Sequence, residues 1–292
     1  MTEFSHVPVM RDEVLVMLDI RPEGTYIDAT VGLGGHSAAI LALLGERGRL
    51  LGIDRDEAAL AVAAERLGNG RVKLKKAAFA DLLAAAQESG IEACDGILLD
   101  LGVSMMQLKD HERGFSFQSG HELDMRMDTA QPKSAWHIVN EEPEQELARI
   151  IHEYGEEPLS RRIARRIVAE RKKRKIDTCV QLASIVASAC GRRGKTHPAT
   201  RTFQGLRIAV NREMEQLRSG LESAGALLNK GGRLCVLTYH SLEDRMVKHF
   251  MRDGVREGRF ALLTKKPVSA RREEVMSNPA ARSAKLRGVE RL

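Results

Sequence analysis

A chain of 292 residues, 43% apolar and 29% charged, is globular and long enough for one large domain or two modest ones, which excludes disordered and fibrous classes. The first residues lack a signal-peptide apolar block and no apolar run reaches membrane-spanning length, so a soluble, cytoplasmic protein with no membrane partner is expected. The net charge of 46 − 40 = +6 is ordinary, but residues 158–201 hold 13 Lys and Arg against two acids, while residues 137–157 hold seven Glu against one Arg. Such asymmetry predicts a polyanion-binding face, here nucleic acid, over a merely solvated helix. Cys94, Cys179, Cys190 and Cys235 form no C-x-x-C pair, so neither a zinc site nor a redox dithiol is expected, and no metal.

In chain order, Val7 to Leu18 is helical and ends at the turn Arg21-Pro22-Glu23-Gly24. Thr25–Ala29 reads as a strand, Gly35–Gly45 as a helix and Arg49–Ile53 as a second strand ending at Asp54. Asp56 caps an Ala-rich helix to Leu67; Arg71–Lys75 is a third strand, Asp81–Ser89 a helix and Asp95–Leu101 a fourth strand, apolar enough for burial on both faces. This alternation demands a doubly wound, mostly parallel sheet. The rhythm then stops. Residues 103–202 show no convincing strand but helical stretches at Glu144–Tyr154, Leu159–Glu170 and Thr178–Cys190, which predicts an inserted, mostly helical domain. The core, residues 1–102, resumes at residue 203 and runs to 292. Phe203 to Leu228 reads as one long helix, with Leu206, Val210, Met214, Leu217, Leu221 and Leu228 on one stripe. Arg233–Tyr239 is a fifth strand, followed by a helix through Phe250 and a strand at Phe260–Thr264 that completes the sheet; the tail from Lys265 is expected to be loop-like.

The chemistry gathers at strand ends. The strand, glycine turn and helix start over Thr25–His36 can present backbone N–H groups to a ligand. Asp54 follows Gly32 by 22 positions, where a carboxylate accepts from ribose hydroxyls. The turn is not G-x-G-x-x-G, because position 37 is Ser; it fits D-x-[GT]-x-G-x-G at Asp28, Thr30, Gly32 and Gly34. That pattern resembles the first motif of S-adenosylmethionine-dependent methyltransferases and turns the choice away from NAD. Asp100 ends the fourth strand beside the switch-point crevice, where it can hold a cofactor or orient a nucleophilic amine.

Several longer motifs occur in order: His6-Val-Pro-Val9, Asp28-Ala-Thr-Val-Gly-Leu-Gly-Gly-His36, Gly52-Ile-Asp-Arg-Asp56 and Asp95-Gly-Ile-Leu-Leu-Asp-Leu-Gly-Val-Ser104. Arg113-Gly-Phe-Ser-Phe117, Leu123-Asp-Met-Arg-Met-Asp128, His197-Pro-Ala-Thr-Arg-Thr-Phe-Gln204, His240-Ser-Leu-Glu-Asp-Arg245 and Arg282-Ser-Ala-Lys-Leu-Arg287 continue the series. Together they resemble the bacterial 16S rRNA N4-cytosine methyltransferase family. The resemblance implies a Rossmann-like methyltransferase core and methyl transfer from S-adenosyl-L-methionine to a decoding-centre cytosine, position 1402 of 16S rRNA, in the small ribosomal subunit. It implies cofactor contacts from Gly34, Gly35 and His36, a ribose contact from Asp54, adenine surroundings at Phe79, and Asp100 and Gln107 on the methionine side. The chain departs from the family pattern at Met105-Met106, at His121-Glu122, and at Tyr239, where Phe is usual.

The mechanism implied is in-line displacement by an amine whose lone pair is delocalised into the ring, so the enzyme must position it and stabilise developing charge. Asp100 is the expected orienter. His240 and Ser241, ending strand five, are further catalytic candidates, with a structural histidine as the alternative for His240. Carbon-5 chemistry is disfavoured because no cysteine lies in a Pro-Cys loop. Arg161, Arg162, Arg165, Arg166, Arg171, Lys172, Lys173, Arg174, Lys175, Arg192, Arg193, Lys195 and Arg201 are expected to track RNA phosphates, and Phe115 or Phe117 to stack on a splayed base. The alternative function is an RNA-binding ribosome-assembly factor that binds the cofactor without turnover. A homodimer is left open.

Overall fold

The computed structural model describes residues 8–68, 70–102, 111–191 and 197–292. The chain forms two compact units, Met1–Gly102 with Met214–Leu292, and Val103–Glu213. Its first part alternates as expected: α1 (Arg11–Leu18), β1 (Thr25–Asp28), α2 (Gly35–Leu43), β2 (Arg49–Asp54), α3 (Glu57–Leu67), β3 (Val72–Lys76), α4 (Leu82–Glu88) and β4 (Cys94–Asp100). Helix α3 starts where Asp56 accepts a hydrogen bond from the Ala58 N–H, an N-cap worth about 1 kcal/mol.

The second unit carries α5 (Ala135–Glu141), α6 (Glu144–Glu153), α7 (Ser160–Arg171), α8 (Cys179–Cys190) and α9 (Thr200–Asn211) around its own aliphatic core. Ile163, Ala164 and Ile167 are the buried stripe of α7, and its arginines 161, 162, 165 and 166 are exposed. Helix α5 is absent from the sequence reading.

The chain continues through α10 (Glu213–Leu227), β5 (Leu228–Thr238), α11 (Ser241–Arg256), β6 (Phe260–Leu262), β7 (Val268–Ser269), α12 (Arg272–Ser277) and β8 (Lys285–Arg291). The sheet order is β3-β2-β1-β4-β5-β8-β6, with β7 paired to β8. β3 through β5 run parallel, and β8 pairs antiparallel with β5, β6 and β7. Side chains alternate between two apolar clusters: Ile27, Ile97, Leu99, Leu234 and Val236 enter one, and Tyr26, Leu98, Cys235 and Leu237 the other.

The structure corrects three expectations. The single helix from Phe203 to Leu228 is two, broken at Arg212, whose φ is +49°. The Asn211 side chain accepts from the Met127 N–H at 2.8 Å and donates to the Met125 carbonyl at 2.8 Å, which anchors the end of α9. The sheet unit therefore resumes at Met214 instead of residue 203. The tail is not a loop: β8 lies between β5 and β6, with Leu286 and Val289 fully buried and Arg287 bonded to Asp244 at 2.7 Å. Finally, β5 starts at Leu228, ahead of the Asn229–Gly232 irregularity, instead of at Arg233.

Candidate active site at the carboxyl ends of the strands

Strand order reverses between β1 and β4, the crevice where open α/β sheets bind ligands. Three neighbouring strands end in a carboxylate there: Asp28 on β1, Asp54 on β2 and Asp100 on β4. Asp28 is buried, accepting from the Ser37 hydroxyl at 2.6 Å and the Thr30 N–H at 3.2 Å, which ties the turn after β1 to helix α2. Asp54 accepts from the Gly32 N–H at 2.8 Å through Oδ2 and from the Asp56 N–H at 2.9 Å through Oδ1. Each oxygen keeps a second lone pair for a ligand hydroxyl. Asp100 is held by its own N–H, which donates to Thr30 Oγ1 at 2.6 Å, and by the Tyr239 phenol, which donates to Oδ1 at 2.7 Å.

Gly32 and Gly34 adopt φ of +50° and +76°, a region L side chains rarely enter. A side chain at Gly34 would meet Leu67 at 3.3 Å, and one at Gly35 would meet Pro8 at 3.3 Å. At Gly32 the nearest described atom would be the Thr30 carbonyl oxygen at 3.9 Å, so no other described residue fills the space beside the turn. His36 opens α2 nearly buried, with Nε2 3.6 Å from Asp100 Oδ2. Phe79 follows β3, half-buried against the backbone of Gly220. Gln107 lies outside the described residues.

Burial dominates the electrostatics. It lifts Asp28 to about 6 against the pull of Ser37, and it raises Asp54 despite two backbone donors. It lifts Asp100 to about 7, with the Tyr239 hydrogen bond opposing and the charges of Asp28 and Glu243 adding. Yet the Asp100 side chain keeps 25% of its surface accessible. A carboxylate balanced near neutrality and reachable from solvent favours a cationic ligand, which would tip it to the charged form.

His240 stands at the turn after β5. It is the N-cap of α11 in a reciprocal capping box: Nδ1 accepts from the Glu243 N–H at 3.4 Å, and Glu243 Oε2 accepts from the His240 N–H at 3.3 Å. Nε2 lies 3.1 Å from Glu243 Oε1, so this side chain positions the strand-to-helix turn. Ser241 is the exposed first residue of α11.

In the second unit, Arg161, Arg162, Arg165, Arg166, Lys172, Lys173, Arg174, Lys175 and Arg201 are exposed. Some have acidic neighbours: Arg166 with Glu170 at 3.0 Å, Lys173 with Glu170 at 3.2 Å and Arg165 with Glu144 at 3.8 Å, weak pairs that phosphate can displace. Arg171, also expected to touch phosphate, is the exception in exposure. Its half-buried guanidinium donates to the carbonyls of Val139 at 2.7 Å and Glu142 at 2.6 Å, closing the carboxyl end of α5. Arg192, Arg193 and Lys195 lie outside the described residues. Phe115 is buried in the unit's core; Phe117 stacks on His197 at 4.4 Å between centroids, nearly parallel. Sequence reasoning passed over Thr30 as an Asp100 anchor and saw Tyr239 only as a departure; neither contact has a local signal.

Residues 3–292 match the model of the MraW methylase family. The chain belongs to that family. Among this methylase's relatives, the ribosomal RNA small subunit methyltransferase H of Citrifermentans bemidjiense is 46% identical over 312 residues, covering 100% of both chains. The protein of the same name from Trichlorobacter lovleyi is also 46% identical over 312 residues, again with 100% of both chains covered. That of Symbiobacterium thermophilum is 46% identical over 309 residues, 99% of this methylase and 97% of the relative.

Proposed function

We infer that the chain is an S-adenosylmethionine-dependent RNA methyltransferase acting on the exocyclic N4 amine of cytosine 1402 of 16S rRNA. The observation that carries this reading is Asp100, a largely buried yet reachable carboxylate at the switch point of a methylase-family sheet. The donor set suits the cofactor, which offers a ribose diol to Asp54 and an ammonium to Asp100. When bound, S-adenosylmethionine supplies an electrophilic methyl group on a sulfonium.

The chain's own residues do the rest. Gly32, Gly34, Gly35 and His36 form the turn, Asp54 accepts from the ribose, and Phe79 flanks the adenine. Asp100 Oδ2 accepts from the cofactor ammonium, which holds the sulfonium methyl where the cytosine amine can attack in line. Ser241 lies at the neighbouring strand end, and His240 fixes the turn that carries it.

The exposed basic side chains of Val103–Glu213 supply phosphate contacts and salt-dependent affinity. A base must leave its stack to react. This work on ribosomal RNA belongs in the cytoplasm; among the described residues no helix is long and apolar enough to cross a membrane.

The test uses small subunits from a strain lacking this gene and methyl-labelled S-adenosylmethionine. Label on cytosine N4 after digestion is expected. No transfer to subunits or to naked RNA overturns the reading in favour of a binding-only assembly factor.

A further inference from the structure

Asp100 is oriented by a residue 139 positions away. Tyr239 follows β5, whose parallel register with β4 sets Asp100 against Leu237, so strand pairing alone brings the phenol beside the carboxylate. The tyrosine is fixed at both ends. Its N–H donates to Glu243 Oε2 at 2.8 Å, the same carboxylate that closes the capping box with His240. Its ring packs on an apolar cluster of the sheet, and a side chain at Gly102 would stand 3.5 Å from the ring edge. The hydroxyl then reaches Oδ1 of Asp100 at 2.7 Å, while Oδ2 lies 3.6 Å from His36 Nε2.

We propose that Tyr239 is a positioning residue for methyl transfer: by donating to Oδ1 it fixes the rotamer of Asp100 and reserves Oδ2 for the ligand. This rests on the assignment of Asp100 given above. The charged and titratable groups facing Asp100 among the described residues are Asp28 at the end of β1, Glu243 on α11, His36 on α2 and Tyr239 itself. Both acids push Asp100 toward its neutral form, as does burial, and the phenol is the hydrogen bond that opposes them. The phenol remains a donor throughout the working range, because burial first, then the Asp100 charge, hold its pKa well above the usual 10. A phenylalanine would fill the same space but leave Oδ1 without this donor and the carboxylate easier to protonate.

Tyr239→Phe is the test, compared with wild type by the pH dependence of kcat/KM on small subunits. The acid limb should move up by about one pH unit, with a loss of about five- to tenfold at pH 7. In an Asp100→Asn background the same change should cost less than about twofold, because no ionisation remains to be tuned. Calorimetry with S-adenosylhomocysteine from about pH 6 to pH 9 reads the same midpoint without turnover and shows that the variant is folded. Overlapping midpoints, or an equal loss in both backgrounds, overturn the proposal. A wild type that transfers no methyl sinks the functional reading instead, and the calorimetric midpoint still decides the role of Tyr239.

Discussion

The two units handle charge in opposite ways. At the strand ends of the sheet unit stand three carboxylates, Asp28 buried and Asp54 and Asp100 half-buried, each hydrogen-bonded by named donors and raised above its ordinary pKa. In the helical unit the basic cluster of Arg161, Arg162, Arg165, Arg166 and residues 172–175 stands in water, and the ion pairs of Arg165 and Arg166 are exposed ones. A desolvated group acts individually, because its interactions are strong and geometrically fixed. Solvated charges act in sum, each worth little and interchangeable with its neighbours. Substitutions should therefore be costly one at a time in the first unit and only collectively in the second.

The largest effect is expected at Asp100. Asp100→Asn should cut methyl transfer by about two to three orders of magnitude, the scale of losing a preorganised polar group at a reacting centre. The same variant should be more stable than wild type at pH 8. Asp100 holds a proton in the folded chain up to about pH 7, whereas the ordinary group releases it near 3.8. Its stabilising contribution is thus complete below about pH 4 and lost as pH rises through 7. The stability gap, on the order of 2 kcal/mol at pH 8 by chemical denaturation, should close toward pH 4. A gap independent of pH would mean that Asp100 is not a strained carboxylate.

Next comes Asp54→Ala, which removes a charge-assisted ribose contact and the acceptor for the Gly32 N–H. S-adenosylhomocysteine binding should weaken by about 1.5–3 kcal/mol in calorimetry; unchanged affinity would remove Asp54 from the cradle. In the second unit, changing Lys172, Lys173, Arg174 and Lys175 together to Gln should flatten the salt dependence of RNA binding. Each lost phosphate contact should lower the slope by about 0.7, with cofactor affinity unaltered. A slope as steep as before would place the RNA face elsewhere.

Arg171 sharpens the contrast because it sits beside that cluster yet belongs to the buried kind. Arg171→Met should lower stability by about 1–2 kcal/mol, since two carbonyls at the end of α5 lose their donor, while the salt slope stays put. A reduced slope with unchanged melting would reverse the assignment.

Legibility in the sequence followed the same division between local and distant causes. β1, β2 and β4 were readable because strands buried on both faces are apolar runs, and Asp54 and Asp100 stand out as acids at their ends. β8 was not, because Leu286 and Val289 are scattered among five charged or glycine positions whose partners, such as Asp244 for Arg287, lie far away in the chain. The stripe from Leu206 to Leu221 is continuous, but its first part enters the core of one unit and its second part the core of the other. Periodicity cannot register that the backbone turns between them at Arg212. Asp100 could be picked from its strand; its partner Tyr239 could be found only once β4 and β5 were seen side by side.

A crystal structure of the complex with S-adenosylhomocysteine tests the cradle most directly. The account predicts the ribose hydroxyls on the Asp54 carboxylate and the amino-acid end of the ligand at Asp100, with its path past Gly32. A ligand bound away from the carboxyl ends of β1, β2 and β4, leaving both carboxylates untouched, would contradict it.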